Sequence, residues 1–224
     1  GCDCLGEIRY FDGVLFDIRG EASVIKNAIC MHEEDYGILW KHTDTRTGEV
    51  ETRRSRRLVV SSIATVGNYE YGFFWYFYQD GGIEYEIKLT GIVNSAGIAP
   101  GIKPKHGTLV APQVVAHNHQ HFFNVRLDMM VDGINNSAYE IDTILDPKSE
   151  ENKHGNAFST KKTLIENESD GVRIVDPFSA RSWAITNNSK KNYMGEPVSY
   201  KIFPGENVLP FSHKDSVVNK RAGF

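Results

Sequence analysis

The sequence predicts an all-β fold, a large antiparallel β-sandwich. Ile83, Tyr85, Ile87 and Leu89 alternate with Glu84, Glu86, Lys88 and Thr90, the period-two pattern of a strand with one face in water. The run Tyr71 to Tyr78 is aromatic on both faces, which predicts a strand covered on both sides, in the middle of a sandwich. Between these runs, Gln79-Asp80-Gly81-Gly82 carries hairpin chemistry.

Taken in order, strands are expected near 7–16, 22–31 and 56–66, the last carrying Leu58-Val59-Val60. The basic run Arg53-Arg54-Ser55-Arg56-Arg57 reads as a charged turn before that strand, since no second basic cluster extends it into a nucleic-acid patch. Asn94 to Lys105, with two Pro and two Gly, reads as a loop. Later strands are expected near 107–116, 119–131, 138–146, 157–167, 181–187 and 198–203, with a polar loop over 146–155. Asp176-Pro177-Phe178 through Arg181 reads as a short helical turn. No long amphipathic helix and no fixed repeat is found.

A chain of 224 residues with 40% hydrophobic and 11% aromatic content can bury a core without disulfides and is not a disordered type. Its net charge of -4 gives no general attraction to nucleic acid or anionic membranes. No apolar run approaches the ~20 residues of a membrane helix, and no segment of these residues reads as a signal peptide. The chain begins at Gly1 without Met and stops at Phe224 without a closing element, so it is expected to be a piece of a longer protein. Three sequons, at Asn135, Asn167 and Asn187, matter only if that protein is secreted. The three cysteines, Cys2, Cys4 and Cys30, contain no CxxC pair, which argues against a zinc knuckle.

Two motifs carry chemistry. In His117-Asn118-His119-Gln120-His121, a strand conformation would put His119 and His121 on one face, continued by Phe123, Val125 and Leu127. Two imidazoles on an apolar face chelate a borderline transition metal such as copper, zinc or iron. His117 is in phase with both and competes as a ligand. A cupin pair would be followed by a nearby Glu, whereas here no carboxylate occurs before Asp128.

The second motif centres on Tyr69, which alone would be an ordinary sheet aromatic. Leu58-Val59-Val60, then Thr65, then Asn68-Tyr69-Glu70-Tyr71 resembles, in residues and spacing, the signature of copper amine oxidases. His119-Gln120-His121 resembles that family's first two copper ligands. Gly1-Cys2-Asp3-Cys4-Leu5-Gly6 and Met31-His32-Glu33-Glu34-Asp35-Tyr36-Gly37 look like its eukaryotic or fungal blocks. The resemblance covers essentially the whole chain.

This resemblance implies that residues 1–224 are part of a single catalytic β-sandwich domain, incomplete at both ends. It implies oxidative deamination of primary amines to aldehyde, ammonia and hydrogen peroxide. Copper(II) is the metal, held by His119 and His121, and Tyr69 is oxidised to topaquinone, whose electrophilic carbonyl condenses with the amine. Asn68 would restrain the quinone ring, and Cys4 and Cys30 would form a disulfide. Asp128 resembles one ligand of a peripheral calcium site, but Met130 stands where a second acid would be, and a thioether is a poor calcium ligand. The third copper histidine and the catalytic aspartate find no match. His213 is the nearest late histidine, in a context that does not fit, so the segment alone is expected to be inactive. The partners implied are a primary amine, O2 and a second subunit of a homodimer, with no nucleic acid and no membrane span. Peroxisomal, secreted and cytoplasmic locations all stay open. A non-redox metal-binding β module, or a purely structural sandwich, are the alternative readings.

Overall fold

Tight turns fold the first part of the chain into an antiparallel meander. The structure, a computed structural model, describes residues 4–205 and 207–222; the expected family block at Gly1-Cys2-Asp3 therefore lies outside the described residues, apart from its Cys4-Leu5-Gly6 portion. Five strands pair in chain order: β1 (Ile8–Phe16), β2 (Ala22–Thr43), β3 (Val50–Val66), β4 (Tyr69–Tyr78) and β5 (Ile83–Gly91). The predicted β4–β5 hairpin forms, closed by Gly81 N–H to Tyr78 O and Tyr78 N–H to Gly82 O. A three-stranded sheet follows, in the order β6 (Ser95–Gly97), β8 (Val114–His117), β7 (Gly107–Ala111).

The charged residues correct two expectations. β2 runs on past residue 31, and the run at 53–57 is inside β3 and not a turn. Each effect explains the other. Glu33, Glu34 and Asp35 on β2 face arginines across the ladder: Arg56 bonds Glu33, Arg57 bonds Glu34 and Arg54 bonds Asp35. Opposite charges placed cross-strand stabilise a sheet that neither run would form alone. Arg57 is the deepest of the three, its side chain 12% exposed. Its guanidinium lies 3.9 Å from the Tyr36 ring centroid and 3.6 Å from that of Tyr76, and donates to Tyr78 Oη at 3.0 Å. Desolvation and a hydrogen bond to Glu84 push the Tyr78 phenol up to about 12.

The aromatic strand is also corrected. Gly72, Phe74 and Tyr76 are buried, whereas Phe73 and Trp75 are half-buried and Phe77 is 39% exposed. Among the described residues β4 is thus covered more fully on one face than on the other. The buried face joins Val59, Phe74 and Tyr76 into a core. On the other face Trp75 packs on Tyr85, ring centroids 4.4 Å apart.

Three local differences follow. The strand expected at 107–116 is a hairpin, broken at Pro112-Gln113 where proline lacks an N–H and Gln113 is left-handed, φ 59°. The loop expected at 94–105 contributes the short β6. The segment expected as a strand at 119–131 has no regular structure over residues 119–130.

From His119 on, a second compact unit is built on a four-stranded sheet. Its order is β10 (Phe158–Ile165), β9 (Ser137–Leu145), β11 (Ser182–Lys191), β12 (Pro197–Ile202). Residues 177–180 form a hydrogen-bonded turn, not a helix; Ala180 there is left-handed, φ 48°. The helical pieces are a 3-10 turn, Glu168–Gly171, and α1 (Val217–Ala222). Neither is long or apolar enough to cross a membrane. The Asn187 sequon is 2% exposed and its amide donates to Val131 O and Asp132 O, so it cannot accept a glycan in the folded state.

On β9, buried Glu140 meets Arg173 at 2.9 Å and Arg181 at 3.4 Å, while Asp142 accepts from Arg181 at 2.9 and 3.1 Å. The Arg181 hydrogen bond holds the Asp142 carboxyl below its ordinary value. A carboxylate whose pKa is lower folded than unfolded adds stability above the unfolded value and loses it as pH falls through the folded one. Asp142→Asn is therefore expected to lower the thermal midpoint at neutral pH. The difference should shrink below about pH 4, where the unfolded carboxylate begins to protonate, as read by melting both proteins across pH.

Candidate functional site

Tyr69 opens β4 directly after the turn Gly67-Asn68. Gly67 takes φ 61°, and a two-residue turn of this hand matches the twist of the strands it joins. Val66 pairs Tyr69, and Thr65 pairs Glu70. The Thr65 hydroxyl donates to Glu70 Oε2 at 2.8 Å, so the two residues flanking the motif tie the hairpin together. Tyr69 is half-buried, and its ring lies 6.4 Å from that of Tyr71, edge to face. The carbonyl of Asn68 accepts the Ile92 N–H at 2.8 Å.

Beneath this turn sits a residue that sequence reasoning missed. Gly91 pairs Tyr69 on β5 with φ 110°. A Cβ there would meet Asn68 O at 2.4 Å, and both Tyr69 Cα and Glu70 N at 2.9 Å. Only glycine allows this approach. The sequence signal was slight, a glycine closing an alternating strand, and its cross-strand partner is not legible locally.

In the second unit, His119 and His121 lie in the irregular segment and are exposed. Their rings nevertheless converge, with centroids 4.8 Å apart and planes at 75°. Two imidazoles bound to one ion at about 2.0 Å, roughly at right angles or slightly wider, would place their centroids about 4.5–5 Å apart. The donor set therefore fits a borderline metal. The segment that carries the pair is tied to the chain through Gln120 and not through a strand ladder. Gln120 donates its amide to Phe211 O at 2.9 Å and accepts the Phe211 N–H at 2.7 Å. This side chain matches a backbone as a neighbouring strand would.

The other candidates have surroundings of their own. His117 is the last residue of β8, in the first unit, opposite Gly107. His213 accepts the Asp215 N–H at 3.3 Å and lies 3.4 Å from that carboxylate. Asp128 and Met130 are exposed in the irregular segment. Cys4 and Cys30 are joined as a disulfide.

The model of the copper amine oxidase enzyme domain matches residues 1–224. The chain belongs to the copper amine oxidase family. It is 49% identical over 224 residues to a histamine oxidase of Arthrobacter globiformis, covering 100% of this chain and 33% of that protein. It is 46% identical over 228 residues to the peroxisomal copper-containing diamine oxidase 1 of Nicotiana tabacum, covering 100% of this chain and 29% of that one. Among solved structures, a copper-containing benzylamine oxidase from Hansenula polymorpha superposes with a TM-score of 0.89 at 36% identity, over 100% of this chain and 35% of that one. The chain thus spans about a third of the length of these relatives.

Gly91→Ala is expected to cost about 1–3 kcal/mol through strain and the forced shift of the Asn68-Tyr69 backbone. Gly97→Ala, where a Cβ meets nothing within 4 Å, serves as the control and should change stability by less than about 0.5 kcal/mol. Equal melting temperatures for the two variants would contradict the close packing of β5 under the Tyr69 turn.

Proposed function

We propose that this chain is the central part of a copper-dependent primary amine oxidase, with Tyr69 as the residue oxidised to topaquinone and His119 and His121 as copper ligands. The observation that carries the reading is the convergence of the two imidazoles in a chain matched along its whole length by the family. When bound, copper with O2 would supply the oxidation that converts the tyrosine and restores the cofactor after each turnover.

The chain's own residues have definite tasks in this reading. The Gly67-Asn68 turn and Gly91 fix the backbone at Tyr69, so the ring's reach is set by the sheet and not by a mobile loop. Asn68 precedes the ring directly and is assigned its restraint. Gln120 holds the histidines in a preformed pair, which lowers the ordering cost of binding metal. Two imidazoles do not close a copper site. The third histidine and the proton-abstracting carboxylate are taken, by resemblance, from the parts of the relatives that this chain does not span, so the segment alone is assigned no turnover. A primary amine and O2 are the substrates and a homodimer is the assembly. The peroxisome, which the name of the tobacco relative carries, is the compartment that fits most simply.

Two variants of the full-length enzyme test this. Tyr69→Phe, expressed with copper and oxygen, should keep its copper, lose amine-dependent peroxide release to background, and give no chromophore with phenylhydrazine. Retained amine oxidation would sink the assignment of Tyr69. Gln120→Ala removes two hydrogen bonds of about 1 kcal/mol each. It should therefore weaken copper binding roughly tenfold or more in a chelator competition, while Tyr69 stays at its place. Unchanged copper affinity would remove Gln120 from the site.

A further inference from the structure

We propose that Cys4, Cys30 and His32 form a second metal site, selective for zinc-type thiophilic cations and opened by reduction of the Cys4–Cys30 disulfide. The sulfurs of the two cysteines and a ring nitrogen of His32 all lie within 4.8 Å of one another. Cys30 and His32 are two residues apart on β2 and share a face, both buried, at 5% and 7% exposure. Cys30 Sγ stands 3.8 Å from His32 Nδ1. A tetrahedral ion with sulfur at about 2.3 Å and nitrogen at about 2.05 Å would set that edge at about 3.6 Å. The edge between two thiolates would be about 3.8 Å, a separation the sulfurs reach once they are no longer bonded.

The surroundings supply what a metal site needs beyond its ligands. His32 Nε2 lies 3.4 Å from Glu34 Oε2. A carboxylate on the far nitrogen fixes the tautomer that leaves Nδ1 free to ligate, the usual second layer of a histidine–metal site. Glu33, Glu34 and Asp35 are each ion-paired to an arginine of β3, so the neighbourhood is already neutral. A divalent ion with two thiolates adds no net charge to a buried place. His32 also borders an open pocket of about 340 Å³ that Leu5, Gly6, Glu33, Glu34 and Asp35 line.

The chemistry balances with a low-molecular-weight thiol as reductant. Two thiols give up two electrons and two protons, forming their own disulfide, and Cys4 and Cys30 become thiols. Binding of the dication then releases two protons to solvent as both thiols ionise. Cys4 and Cys30 are thus a covalent staple when oxidised and, with His32, a metal site of two sulfurs and one nitrogen when reduced.

The experiment uses the full-length, copper-loaded enzyme carrying Cys2→Ser, so that the thiolate nearest the pair in sequence is absent. Oxidised and thiol-reduced samples are equilibrated anaerobically with zinc(II), counted by elemental analysis after gel filtration, and titrated with cobalt(II) to read thiolate charge-transfer absorption. The reduced enzyme should take up one more equivalent than the oxidised one. That equivalent should vanish in Cys30→Ser and in Cys4→Ser. It should weaken at least about tenfold in His32→Gln and in Glu34→Gln, with circular dichroism showing each variant folded. No extra metal on reduction, or extra metal that survives His32→Gln at full affinity, would overturn the site.

Discussion

Register in the β3–β4–β5 meander is the constraint on which the rest of the first unit depends. Side chains alternate with a period of two, so a slip of one residue would move every buried group to the other face. Tyr69 can occupy its place only while Val66, Tyr69 and Gly91 stand in line across three strands. The near end of that line is held by a two-residue turn and a glycine that no side chain can replace. The far end is held by Arg57, clamped between Tyr36 and Tyr76 and bonded to Glu34 and Tyr78. The exposed pair Arg53–Glu51 adds little by comparison. Arg57 matters because it is desolvated, and removing one partner would strand the other's charge.

The two candidate functional motifs are built by different physics. The tyrosine is placed by a sheet, where backbone pairing gives precision. The histidine pair lies in a segment without a strand, where the Gln120 amide satisfies both polar groups of Phe211.

Much of this was legible in the sequence, for reasons that can be named. The hairpin at Gln79–Gly82 and the alternation of β5 are local signals, and local signals survive folding. The Cys4–Cys30 bridge came only from resemblance. What could not be read was non-local. The acid run at 33–35 lies beyond the strand expected at 22–31 and the arginine run at 53–57 looks like a charged turn until the two are placed across from one another, and then both become strand. Phe73 and Phe77 carry the same side chain as Phe74, yet only the last is buried, because coverage depends on what packs above the sheet. Residues 119–131 alternate like a strand, but no ladder forms there among the described residues. Cys4, Cys30 and His32 had no zinc-motif spacing, since a 26-residue separation is closed by the fold and not by the chain.

The arginine cluster has a consequence for how the acid–base behaviour of the proposed oxidase would be interpreted. Asp35 is held below the carboxylate range by Arg54, the guanidiniums of Arg54, Arg56 and Arg57 are raised further by their partners, and the phenols of Tyr76 and Tyr78 are raised by burial. None of these groups exchanges a proton anywhere near neutrality. This cluster is proton-silent, a fixed electrostatic background. Inflections in a pH–rate profile across the neutral range would then arise from outside it, in the groups that handle substrate.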